Sequence, residues 1–480
     1  MIRFAFGLVA ASSLVACAPA PMVVSPVADG TPLAASPAPN ADAAARASDT
    51  PARPNGAWIG AAGESEYLLA GRTETVLGVW VDVPRTAQRA RAPADVALVI
   101  DTSGSMAGAK MDNARIAARG LTDKLSDGDI VSLVTFANSA EERVPPTLLS
   151  ASSRATIHGN ISLLQPLGGT NMFDGLRFAE GRVMNGPASH PVRRIVMISD
   201  GQANVGPSSP EVLGALAARG ADAGVQVSAI GVGLDYDENT LNALAVRSSG
   251  RLYHLDEPRE LASILEREIG LLQTTAATAA VVEVVPAPGV VILGADGLRM
   301  DRVGNAVQIP LGTMYAGQHR EMLLKVRVDA QGDGGRALAS VRLRFRDPAD
   351  GGLERMHEVV ARYQVTRDPS VVAAHANDKT RTILATQQAA QIAIAAAQQL
   401  NDGRYDAAEA QLAQAETKLK EAAAHAKSTV DRDRVMASMQ RIGKARAATK
   451  ADAAAPPAAR PAPRARALDV NAAGMDAAGF

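Results

Sequence analysis

The chain is expected to be an α/β protein: a doubly wound, mainly parallel sheet, plus an antiparallel β-sandwich and a C-terminal helical hairpin. Three patterns carry this expectation. Between Asp95 and Thr274, apolar strands alternate with helical segments, as in a parallel sheet whose strands are buried on both faces. After residue 275, Leu324–Asp329 and Val341–Arg346 alternate strictly between apolar and polar residues, as strands with one buried and one wet face do. From Pro369 to Lys450 the sequence is rich in Ala and Gln and has no internal proline, which suits long helices.

The elements follow in order. Residues 1–17 open with Met1-Ile-Arg3, continue with the apolar run Phe4 to Val15, and reach a small residue, Ala16. A short basic head and a short apolar run read as a secretory signal, not a spanning helix. The chain has one cysteine, so no intramolecular disulfide is expected. Leu14-Val-Ala-Cys17 resembles a bacterial lipobox, which implies that Cys17 is lipidated and becomes the first residue. Ala18 then implies export to the outer membrane, and the expected location is the bacterial cell envelope, held by lipid. Residues 18–54 are Ala, Pro, Ser and Asp with few large apolar side chains. They read as a disordered tether with a root-mean-square span of about 30–40 Å. Residues 55–93 carry strand patterns such as Glu74–Asp82 and a polar linker from Arg85 to Pro93. This segment is too short for a core of its own. Its strands are expected to pair with strands after residue 275, making residues 94–274 an insertion in the sandwich.

Within that insertion, strand Val96–Ile100 ends in Asp101-Thr-Ser103-Gly-Ser105. One carboxylate and two hydroxyls thus share one tight loop. Hard oxygen ligands on short side chains suit a small hard cation. Strand Arg194–Ser199 ends in Asp200-Gly201, and Gly168-Gly-Thr170 opens a helix between the two. In a doubly wound sheet, loops at the carboxyl ends of neighbouring strands converge at the switch point. This order of residues resembles the von Willebrand factor type A domain with a metal-ion-dependent adhesion site, of Rossmann-like fold. The resemblance covers roughly Ala94 to Thr274 and rests on Asp101, Ser103, Ser105, Thr170 and Asp200, with Gly104 allowing the turn. It implies that Ser103, Ser105 and Thr170 bind the metal by hydroxyl and that the two aspartates contact it directly or through water. Magnesium is the expected ion, with calcium or manganese as alternatives. An Asp or Glu carboxylate of a protein partner is expected to complete the coordination.

Residues 275–368 form the expected sandwich, with turns at Asp296-Gly, Gly304-Asn, Gly332–Gly335 and Asp347–Gly352. Arg342, Arg344 and Arg346, with Lys325 and Arg327, read as a solvated face. Residues 369–450 form the helical hairpin, broken at Asn401-Asp-Gly403, and residues 451–480 read as a disordered Ala/Pro/Arg tail. Other chemistry is not called for. A net charge of −1 gives no bulk attraction to nucleic acid or anionic lipid. The sequence has no G-x-x-x-x-G-K-[ST], H-E-x-x-H or G-x-S-x-G, so no nucleotide is expected and the chain is read as no enzyme. The expected function is capture of a partner protein through the cation. The alternatives are an envelope assembly or scaffold protein with a purely structural metal and, less favoured, a metal-dependent hydrolase.

Overall fold

A computed structural model of the protein describes residues 58–85, 91–233, 236–255, 260–295, 298–332, 334–456 and 463–478. The expected signal segment, Cys17 and the tether lie outside the described residues. Strands β1 (Ile59–Gly63), β2 (Tyr67–Leu69) and β3 (Gly71–Asp82) come first. An α/β body follows: β4 (Ala94–Asp101), α1 (Ala109–Lys124), β5 (Ile130–Phe136), β6 (Ala140–Leu148), α2 (Ala151–Ser162), α3 (Met172–Met184), β7 (Val192–Ser199), α4 (Pro210–Asp222), β8 (Val225–Val232), α5 (Glu238–Arg247), β9 (Leu252–Leu255) and α6 (Leu261–Gln273).

Its sheet has the order β6-β5-β4-β7-β8-β9. All neighbours are parallel except β5 and β6. The chain builds outward from β4 to β6, then returns to β7 on the other side of β4. The switch point therefore lies between the carboxyl ends of β4 and β7, where such sheets place their ligands. Every residue of β4, β5 and β8 is buried, because helices cover both faces. Val96, Leu98 and Ile100 pack with α1, α2 and α6 on one side. Ala97, Val99 and Met197 pack with α3, α4 and α5 on the other.

Strands β10 (Thr275–Pro286), β11 (Val290–Ala295), β12 (Asp301–Val303), β13 (Ala306–Tyr315), β14 (His319–Ala330), β15 (Gly335–Asp347) and β16 (Leu353–Thr366) join β1–β3 in two further sheets, ordered β1-β3-β14-β11 and β12-β13-β10-β15-β16-β2. β3 pairs with β14 along its whole length, from Gly71 opposite Ala330 to Asp82 opposite His319. Strands on either side of the α/β body thus share one sheet. The short β16–β2 pair is parallel. Alternate residues Leu77, Val79, Val81, Met322, Leu324 and Val326 face Val282, Val341, Leu343 and Phe345 in a common core. The indole of Trp80 lies over Gly60, where a Cβ would come within 2.3 Å of the ring.

The basic residues read as one face divide between two sheets. Lys325 and Arg327 lie on β14, whereas Arg342, Arg344 and Arg346 lie on β15. Arg342 pairs with Glu283 and Glu358 across the strands, and Arg327 with Glu74. These charges are matched by their sheet neighbours, as expected of a solvated surface.

Helices α7 (Pro369–Ala374), α8 (Asp378–Asn401), α9 (Tyr405–His425), α10 (Thr429–Ala454) and α11 (Pro463–Ala478) complete the chain. α8 lies on the β3–β14 sheet: Thr380 Oγ1 donates to Ala62 O (3.1 Å), and its side chain fills the space above Gly78. α8 and α9 form the hairpin across Asn401–Gly403, with Gly403 at φ 72°. The helical region continues beyond it. Ser428 caps α10 by accepting from Asp431 N (3.0 Å), which starts a new helix where the sequence pattern had suggested a continuous one. The tail is also corrected over its described part. α10 runs to Ala454, and α11 buries Ala467, Val470, Ala473 and Ala477 in the same core as α8. Alanine is the best helix former, and small side chains three and four apart let two helices approach closely. The composition that suggested disorder therefore suits tight helix packing.

Among the described residues, no helix is long and apolar enough to cross a membrane.

Candidate functional site

Three loops meet over the β4–β7 switch point. The first follows β4. Asp101, the last residue of that strand, and Ser103 are buried. Ser103 N donates to Asp101 Oδ1 (2.8 Å), turning the chain back over the carboxylate. A short 3-10 turn, Gly104–Met106, then brings the Ser105 hydroxyl to 3.0 Å from that of Ser103. Gly104 is not needed for a left-handed turn. It is absent from the positive-φ residues, and a Cβ there would meet Gly168 O at an ordinary 3.5 Å. Its contribution is an N–H donated to Gly168 O (3.0 Å). The left-handed residue is Gly108, at φ 73°, just before α1.

That Gly104–Gly168 bond ties the first loop to the second, which presents the buried Thr170 ahead of α3. Thr170 is locked to the third loop in turn. Its N–H donates to Asn204 Oδ1 (2.8 Å), and its carbonyl accepts from Asn204 N (3.1 Å) and Val205 N (3.2 Å). Gly169 permits this approach, because a Cβ there would stand 2.6 Å from Val205 and 2.9 Å from Asn204. Asp200, fully buried after β7, begins the third loop. The structure thus brings Asp101, Ser103 and Ser105 together directly, and joins Thr170 and Asp200 to them through hydrogen-bonded loops.

The two carboxylates are held differently. Asp101 accepts from Ser103 N and, at Oδ2, from Ser199 Oγ (2.5 Å). Burial pushes its carboxyl up to about 6; hydrogen bonds from Ser103 and Ser199 pull it down, and the charge of Asp200 adds to the rise. Asp200 Oδ2 accepts from Lys110 Nζ (3.1 Å), whereas its buried Oδ1 has no hydrogen-bond partner. A buried carboxylate oxygen without a donor is costly. It is the kind of group that a bound cation satisfies, and the oxygen ligands on the three loops, hydroxyls and carboxylates, suit a hard cation.

Sequence reasoning missed three contributors. Ser199 links the strands by donating to Asp101 while accepting from Gly201 N (2.8 Å). Asn204 braces Thr170, and Lys110 faces Asp200. Only Ser199, adjacent to Asp200 at the strand end, carried a readable signal. A second group of metal-type side chains, His319, Glu321 and Asp431, lies elsewhere, between β14 and α10. There Lys379 Nζ already bridges Glu321 (2.9 Å) and Asp431 (2.5 Å), so the ammonium supplies the cation.

Comparison with known proteins agrees with this fold. The family model of the von Willebrand factor type A domain matches residues 95–267, and that part of the chain is such a domain. An uncharacterised protein of Synechocystis sp. is 26% identical over 272 residues, which are 54% of this chain and 63% of that protein. A UPF0353 protein of Mycolicibacterium paratuberculosis is 35% identical over 207 residues, 36% of this chain and 60% of its own. The chain thus spans less than two thirds of the length of these relatives. The solved structure titled von Willebrand factor type A from Catenulispora acidiphila superposes with a TM-score of 0.61 at 17% identity, covering 87% of this chain and 96% of that one. The ArnB paralog VWA2 from Sulfolobus acidocaldarius gives 0.56 at 15% identity, covering 88% and 98%. These likenesses show the fold, and they extend well beyond the type A domain.

Proposed function

We propose that the protein is a binding module that captures a partner protein through a divalent cation held by Asp101, Ser103, Ser105, Thr170 and Asp200. The observation that carries this reading is Asp200 Oδ1, buried and without a hydrogen-bond partner where the hydroxyl-bearing loops meet. Type A domains serve protein–protein interaction or adhesion, which agrees with it. The Ser103 and Ser105 oxygens are 3.0 Å apart. Neighbouring ligands of an octahedral ion with bonds of about 2.1 Å are separated by about 3 Å. That spacing suits magnesium, with manganese or calcium as alternatives, and it equally serves the hydroxyl–hydroxyl bond. A cation bound there supplies an electrophile with coordination open to an Asp or Glu of the partner. The two aspartates provide charge, and the three hydroxyls provide neutral oxygens that leave the ion electrophilic.

A purely structural metal, as in the assembly-scaffold reading, is less favoured. The three loops are already joined by the Gly104–Gly168 and Thr170–Asn204 bonds. No catalysis is proposed. We further propose that the protein sits in the cell envelope, anchored by lipid on Cys17. Cys17→Ser should release it into the soluble envelope fraction, and unchanged detergent partitioning would contradict the anchor. The test of function is a crosslinking pull-down from intact envelopes with wild type and Asp101→Ala, in magnesium and in chelator. A partner held only by wild type in magnesium is expected; equal capture in all four samples would contradict the reading.

A further inference from the structure

Lys110 stands in the first turn of α1, two residues after Gly108. Its ammonium lies 3.1 Å from Asp200 Oδ2, with the lysine side chain 20% exposed and the aspartate side chain 0%. Ala107, Gly108 and Ala109 around its base are exposed. The buried carboxylate is therefore met on one oxygen by a cation that belongs to the protein, and on the other oxygen by no hydrogen bond. An ammonium on a four-carbon stem is a mobile point charge, readily hydrated once it leaves. Here it has open surface to move into.

We propose that Lys110 is the built-in counter-ion of this site: it neutralises Asp200 when no divalent ion is present, and the ion must displace it to bind. The inference rests on the cation-binding reading above and extends it to what sets the affinity. An ammonium and a divalent ion held on one buried carboxylate repel each other. Binding therefore draws only on the fraction of molecules in which Lys110 has swung away, and the apparent affinity falls by that fraction. If the ammonium is in place in nine or more molecules out of ten, removing it should tighten binding about tenfold or more. The same substitution should weaken the metal-free protein, because Asp200 would then be buried without a counter-charge. Opposite signs on the two readouts separate this role from a merely structural one, which would lower both.

The experiment uses the full chain as wild type, Lys110→Met and Lys110→Gln, with Lys124→Met as an exposed control on the same helix. Magnesium binding is measured by calorimetry, and melting temperature in chelator. Both Lys110 variants are expected to bind magnesium at least tenfold tighter than wild type and to melt at lower temperature, with Lys124→Met unchanged in both. If wild type binds magnesium and both Lys110 variants bind equally or more weakly, the counter-ion inference is overturned and the cation site stands. If neither wild type nor any variant binds magnesium at millimolar concentration, both readings fall.

Discussion

Replacing Arg194 by Met should damage the fold more than any change among the proposed ligands. Arg194 lies on β7 and is 1% exposed. Its Nη1 donates to Glu268 Oε2 of α6 (2.7 Å) and its Nη2 to the Tyr315 hydroxyl of β13 (2.8 Å). Tyr315 donates in turn to Gln226 Oε1 (2.7 Å). One buried guanidinium therefore ties the α/β body to the sandwich. Ser228 and Tyr253 hydroxyls satisfy the other oxygen of Glu268, at 3.0 and 2.6 Å. In Arg194→Met, Glu268 keeps those two donors but loses its counter-charge while fully buried. Breaking a buried pair in this way costs about 3–5 kcal/mol, against a total stability of roughly 5–15 kcal/mol. At about 2–4 °C per kcal/mol for a body of this size, the melting temperature should fall by about 6–20 °C. Adding Glu268→Gln removes the stranded charge and should recover most of the loss. Urea unfolding followed by far-ultraviolet circular dichroism measures both. A loss below about 1 kcal/mol in the single variant, or a double variant weaker than the single, would refute the reasoning.

Three further outcomes are expected. Glu180, 5% exposed and with Oε1 unpartnered, has its carboxyl pushed up by burial to about 8, opposed by Arg219. Its protonated form favours the fold, so its contribution is complete below about 4.5 and is lost as pH rises through 8. Glu180→Gln should therefore gain a few kcal/mol on wild type between pH 5 and pH 9, and parallel stability profiles would contradict this. Asp101→Ala should abolish magnesium binding by calorimetry while the chain stays folded, and near pH 8 its metal-free form should melt no lower than wild type, because one of two crowded carboxylates is gone; Ser103→Ala and Thr170→Ala should weaken binding in steps. Gly169→Val would push Val205 and Asn204 away from Thr170, so magnesium affinity should drop about tenfold or more with little change in melting temperature, and an unaltered affinity would show that the Thr170 loop is not part of the site.

Much of the architecture was legible because it is written in period. The short apolar runs Val96–Ile100 and Ile195–Ile198, alternating with helical segments, read as strands covered on both faces, and their order placed Asp101 and Asp200 at one switch point. The alternation in Leu324–Asp329 and Val341–Arg346 was equally plain, although alternation does not say which sheet a strand joins; Arg327 and Arg342 proved to lie on different ones. What was hidden depends on contacts between distant positions. Lys110 carries no signal of its own until the fold brings its ammonium to Asp200, 90 residues later. Arg194 reads as an oddity in an apolar strand until Glu268 and Tyr315 arrive 74 and 121 residues later. α11 was hidden for another reason. Among its described side chains the buried ones are alanines and one valine, with Gly474 between them, too small to raise an apolar signal, yet small enough to seat against the alanine face of α8.

The link between cation and partner is the centre of the proposed function. Surface plasmon resonance of the captured partner over wild type and Asp200→Ala, in magnesium and in chelator, measures that link in four traces. Strong binding by wild type in magnesium alone, with the other three at background, is the predicted result. Equal affinity in all four would show that the hydroxyl and carboxylate cluster over β4 and β7 is not the grip.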